Sequence, residues 1–311
     1  MKRALFAVVA ATVLLLTGCA GGDSSDSGGA GPAPSASRGG SYPVTVGGVT
    51  LTQRPQRIVS LSPTTTEMLF AVDAGPQVVA VDDQSNYPAD APKTDLSGFK
   101  PNAEAVAAKN PDLVVLTDDI DKIVDQLTKL KIPVFRVSAA KQLDDVYTEI
   151  GQLGTLTGHA DEATALTERM KADIDKTVKG VPQRTEPLSY YYELDPTFYS
   201  VTSKTFIGSI FGLFGMKNVA DAADADGSKG GYPQLSQEAL LKADPDMIFL
   251  ADSKCCKQSP ASVKTRKGWS GITAVKTGQI VALDDDVASR WGPRVVELVR
   301  SVADAVAKVP A

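Results

Sequence analysis

The sequence predicts an α/β fold: two similar lobes with mostly parallel sheets, joined by one long rigid helix. Three observations carry this. Continuous β-branched runs alternate with helical patterns, one helix–turn–strand unit occurs twice, and a long amphipathic stripe separates the two halves.

In chain order, Lys2 and Arg3 precede the apolar run Ala4 to Leu16. A permanent membrane span needs about 20 apolar residues, so this run reads as the core of a signal peptide. Leu16-Thr17-Gly18-Cys19 resembles the lipobox of bacterial lipoproteins, in which the cysteine is diacylated and becomes the first mature residue. Residues 1–19 are therefore expected to be a lipoprotein leader ending in a lipidated Cys19, and two acyl chains suffice for stable anchoring. An ordinary secretory site with an incidental cysteine is the alternative. Residues 20–42, rich in Gly, Ser, Ala, Asp and Pro, lack the apolar surface to offset ordering entropy. They read as a flexible linker reaching roughly 25 Å.

The N-terminal lobe is expected over 43–158. Ile58–Leu61, Val78–Val81, Leu113–Leu116 and Val134–Val137 are runs suited to strands buried on both faces. Helices are expected at Thr65–Val72, Asn102–Lys109 and Ile120–Leu130. Leu143, Val146, Ile150 and Leu153 form a helical stripe, with an interruption expected at Gly154–Gly158. A connecting helix follows over 159–180, with Ala163, Leu166, Met170, Ile174 and Val178 on one face. It spans roughly 30 Å and ends at Gly180 and Pro182. The C-terminal lobe, 181–311, carries strand candidates at Ser189–Leu194, Met247–Ala251 and Gln279–Leu283, and a last helix from about Pro293 to Lys308. Asn102 to Leu116 aligns without gaps on Ser236 to Leu250; each reads as N-cap, short helix, Pro-Asp turn and buried strand.

Composition narrows the function. The 311 residues are 43% hydrophobic and 22% charged, with net charge −5. The acidic balance argues against partners recognised through phosphate neutralisation. Three cysteines and the single His159 exclude Cys₄, Cys₂His₂ and three-histidine metal sites. The chain has no Gly-x-Ser-x-Gly elbow, phosphate-cradling loop or HExxH motif, so it is not expected to be an enzyme. With Cys19 lipidated, Cys255 and Cys256 are the remaining thiols, and a disulfide between them is expected, with two free thiols as the alternative.

Three segments carry a resemblance: RIVSLSPTTTEMLF from Arg57 to Phe70, YPQLSQEAL from Tyr232 to Leu240 leading into PDMIFL, and SRWGPR from Ser289 to Arg294. With the lipobox and the connecting helix, the chain resembles the helical-backbone substrate-binding lipoproteins of bacterial ABC importers for cobalamin, ferric siderophores and haem, and is most similar to the cobalamin-binding members. The resemblance implies a ligand cleft between the lobes, a permease and its ATPase as partners, and a monomer on the outer face of the cytoplasmic membrane. No cofactor is implied beyond the transported ligand. It further implies one exposed glutamate per lobe that docks onto permease arginines, at Glu67 and Glu238. Both also have structural readings: Thr64-x-x-Glu67 fits a capping box, and Glu238, like Glu104, suits the positive end of a helix. Tyr87, Tyr232, Asp286 and Arg290 match ligand-contacting positions, and Tyr199 and Trp291 are further candidates. Cobalamin is the leading ligand; a ferric siderophore or haem, or a surface sensor that transports nothing, remains open.

Overall fold

The computed structural model describes residues 41–310. The expected leader, Cys19 and nearly all of the linker lie outside them. A hairpin opens the described chain: β1 (Val44–Val46) pairs antiparallel with β2 (Val49–Leu51) across Gly47-Gly48. Both glycines have positive φ, as a tight hairpin turn requires, and a Cβ on Gly47 would lie 2.8 Å from the Phe135 ring. The sequence reading has no strands here, because three-residue half-polar strands give little periodicity.

The N-terminal lobe then follows as β3 (Ile58–Ser60), α1 (Pro63–Ala71), β4 (Val78–Val81), α2 (Ala103–Ala107), β5 (Leu113–Leu116), α3 (Ile123–Lys129) and β6 (Val134–Arg136). The expected helix at Ile120–Leu130 is shortened, because Asp121 and Lys122 take left-handed backbone angles and α3 starts after them. Two helices lead out of the lobe, α4 (Leu143–Thr157) and α5 (Ala160–Lys179). Gly154 does not interrupt α4. A Cβ there would sit 2.4 Å from that of Ala163, so the glycine lets α4 and α5 cross closely, and left-handed Gly158 ends the helix instead.

The C-terminal lobe comprises β7 (Ser189–Glu193), α6 (Phe206–Gly212), β8 (Lys217–Asn218), α7 (Gln237–Ala243), β9 (Met247–Leu250), α8 (Pro260–Lys264), α9 (Thr273–Thr277), β10 (Ile280–Ala282), α10 (Asp285–Ser289) and α11 (Val295–Ala307). Pro293 lies just before the last helix rather than in its first turn.

Each lobe holds a four-stranded sheet, and both are parallel throughout. Their orders are β4-β3-β5-β6 and β10-β9-β7-β8. Counted from the first strand of each lobe and read from opposite edges, these are the same winding. The repeat explains part of the match. Asn102 caps α2 by accepting from the Ala105 N–H (2.9 Å), and Ser236 caps α7 from the Ala239 N–H (3.0 Å). The aspartate of each Pro-Asp turn then ties its strand to the neighbour. Asp112 accepts from the Gln56 and Arg57 N–H groups beside β3, and Asp246 from the Ser189 N–H at the start of β7.

One apolar core runs from Met68 and Leu69 of α1 through Met170 and Ile174 of α5 to Val299 and Val302 of α11, then on to Phe211 and Phe249. The lobes thus share a packed interior along α4, α5 and α11, which restrains them to small relative motions.

Candidate functional site

In parallel α/β sheets, ligands bind at the carboxyl ends of the strands. A cavity of about 370 Å³ lies there, between the lobes. From the N-terminal lobe, Ser62 and Thr64 after β3, Asp82 and Gln84 after β4, and Thr117 and Asp118 after β5 line it, with Phe99 from the loop before α2. From the C-terminal lobe come Asp286, Ser289, Arg290 and Trp291. Three of the expected ligand residues, Asp286, Arg290 and Trp291, therefore meet in this cavity. Ser60, Thr65, Thr66 and Ser85 form a buried hydroxyl cluster beneath its floor (2.7–2.9 Å), which fixes the start of α1. Burial raises the Asp82 carboxyl above the usual carboxylate range, and the Ser85 hydroxyl donated to it opposes the shift.

The other expected ligand residues lie elsewhere. Tyr87 stacks beneath the Arg294 guanidinium (4.3 Å to the ring centroid) and lines a separate depression against α5 and α11. Tyr199 and Tyr232 stand on C-terminal-lobe loops, 42% and 50% exposed, and do not line the cavity. Phe99, 71% exposed, is not among the expected ligand residues. The repeat carries a signal for it: Phe99 lies three residues before the Asn102 cap, and Tyr232 four before the Ser236 cap. Each lobe thus presents an exposed aromatic ring just ahead of its repeated unit.

Glu67 is not the exposed glutamate expected of it. It is the fifth residue of a helix buried nearly all round, and its side chain is 1% exposed. Its position in α1 also rules out the capping box, because Ser62 is the N-cap. Its carboxylate instead accepts from Arg290 Nη1 (2.8 Å), Arg294 Nη2 (2.6 Å) and Arg294 Nε (2.9 Å). Glu238 is exposed in the first turn of α7, and Glu104, its repeat equivalent, is exposed in the first turn of α2.

Cys255 and Cys256 are free thiols, contrary to the expected bridge. Their turn is shaped by hydrogen bonds instead: the Cys255 N–H donates to Asp285 (3.0 Å) and the Cys256 N–H to the Asp252 carbonyl (3.2 Å).

Residues 58–287 match the family described as periplasmic binding protein. An uncharacterized ABC transporter substrate-binding lipoprotein of Bacillus subtilis is 32% identical, over 85% of this chain and 86% of its own. A cobalamin-binding protein of Halobacterium salinarum is 31% identical, over 83% of this chain and 71% of its own. Among solved structures, a Staphylococcus epidermidis protein described as a possible iron-binding (periplasmic solute-binding) protein superposes with TM-score 0.71 at 27% identity, covering 82% of this chain and all of its own. This chain belongs to the periplasmic binding protein family and is a substrate-binding protein of the ABC-importer type, extracytoplasmic in location.

Proposed function

We propose that this family member captures a corrinoid in the interlobe cavity, unaltered, and delivers it to an ABC permease from a lipid anchor at Cys19. The composition of the cavity wall carries the reading. Asp82, Asp118 and Asp286 face the space with hydroxyls, one amide and two aromatic rings. Such a wall accepts hydrogen bonds from the amides that ring a corrin, while flat rings cover its apolar face. Anionic iron chelates would meet the carboxylates of Asp82 and Asp118 there, while Arg290 is already engaged with protein acceptors and Asp286 with Arg290, Asn86 and Lys254. The lining groups are also unlike the imidazole, thiolate, thioether or phenolate that hold a haem iron. Phe99 of the N-terminal lobe and Trp291 of the C-terminal lobe, the two rings in the wall, are the aromatic jaws of this reading.

For permease docking, Glu104 takes the place expected of Glu67. Glu104 and Glu238 occupy the same turn of the same repeated unit, one per lobe, and both are exposed. Paired charges of this kind set registry and on-rate more than affinity.

Titration of tryptophan fluorescence with cyanocobalamin, hemin and a ferric hydroxamate tests the ligand. Saturable quenching by cyanocobalamin alone is expected, through Trp291 in the cavity wall. Saturation by hemin or the hydroxamate, with a flat cyanocobalamin trace, overturns the corrinoid reading.

A further inference from the structure

We propose that Glu67 and Asn86 are positioning residues that lock the two lobes together and hold the cleft in its ligand-ready form; the inference rests on reading that cleft as the ligand site. The segment Arg290 to Arg294 belongs to the C-terminal lobe, yet its polar groups are fastened to the N-terminal lobe. Arg290 Nη1 donates to Glu67 Oε1 (2.8 Å) and to Asn86 Oδ1 (2.9 Å). Its Nη2 donates to the Gln84 carbonyl (3.3 Å) and to Asp286 Oδ1 (2.9 Å). Asn86 Nδ2 donates in turn to Asp286 Oδ2 (3.1 Å). Arg294 closes the other side with two hydrogen bonds to Glu67.

Both Glu67 oxygens are therefore taken by cations from the opposite lobe, at a site with 1% side-chain exposure. A buried carboxylate whose partners withdraw is left uncompensated, so parting the lobes and breaking these ion pairs are one event. The same segment carries Trp291 into the cavity wall. Its Nε1 is buried without a hydrogen-bond partner, as is Oε2 of Glu149 on α4. Arg290 has both Nη groups committed to protein acceptors, so its contribution to ligand binding is to hold Trp291 and Asp286 in place rather than to read a ligand charge.

The test uses the two tryptophans, one at the boundary and one, Trp269, deep in the C-terminal lobe with 1% exposure. Acrylamide quenching is measured in Glu67→Gln, with Trp269→Phe and Trp291→Phe partners separating the two signals, together with cyanocobalamin dissociation. The lock predicts that Glu67→Gln strips shielding from Trp291, leaves Trp269 shielded, and speeds dissociation ~10-fold, the loss expected for a charged hydrogen bond. Arg290→Gln added to Glu67→Gln produces less than the product of the two single effects. Unchanged Trp291 quenching with unchanged dissociation overturns the lock. If Glu67→Gln exposes Trp269 as well, the fold has failed, and Asn86→Ala, at an exposed position, decides by the same two readings with effects in the same direction. Should the wild type bind no cyanocobalamin, the ligand reading fails while the quenching comparison still decides the lock.

Discussion

Glu67, midway along α1, and Glu104, in the first turn of α2, belong to the first two N-terminal-lobe helices and meet opposite fates. Helix α1 is walled in by the hydroxyl cluster, the apolar core and the Arg290–Arg294 segment, so its carboxylate becomes an internal anchor. Helix α2 buries only Ala103 and Val106, and its carboxylate faces outward. A glutamate on a helix of this lobe is thus not an interaction site by virtue of the helix alone. What packs around the helix decides, and for α1 the decisive neighbours come from the other lobe.

Stability measurements can break or sharpen this contrast. The largest effect is expected for Glu67→Ala, which strands Arg290 and Arg294; urea unfolding should show a loss of about 3–5 kcal/mol. A loss below 1 kcal/mol would remove Glu67 from its anchoring role. Next comes a pH effect from Glu149. Burial, with Asp145 adding, pushes its carboxyl up to about 7 from an ordinary 4.5. The folded state holds that proton more tightly than the unfolded chain. The stabilisation is therefore complete below pH 4.5 and is lost as pH rises through 7, a change of up to about 3 kcal/mol. Asp252, raised by burial to about 7 with Glu193 adding, contributes a second decline of the same sign. Glu149→Gln should flatten its share of the decline in melting temperature between pH 5 and 8.

Asp112→Ala and Asp246→Ala should each cost about 1–3 kcal/mol, because each leaves a neighbouring strand's N–H without its acceptor. Similar costs would support equivalent roles in the two lobes. The smallest stability effect belongs to Glu104→Ala with Glu238→Ala, at about 1 kcal/mol or less per site. That double variant should keep wild-type ligand affinity yet abolish uptake in cells that depend on external cobalamin. Normal uptake would refute the docking assignment.

The sheets were readable because parallel strands buried on both faces appear as unbroken apolar runs; β5 and β9 are buried at every position. The repeat announced the matching lobes, since capping and Pro-Asp turns are local chemistry. The role of Glu67 was not readable: its arginine partners lie 223 and 227 residues away, and only the folded chain brings them together. Gly154 misled for a related reason, because its helix-breaking tendency is outweighed by the close crossing with Ala163. Tyr87 matched a ligand-contacting position but stacks on Arg294, outside the cavity.

Isothermal titration with cyanocobalamin of the wild type and of Phe99→Ala/Trp291→Ala most directly tests whether the cleft grips a corrinoid between its two aromatic jaws. One-to-one binding is expected, weakened roughly tenfold to a hundredfold in the double variant. Absence of binding by the wild type, or equal affinity in the two proteins, would contradict it.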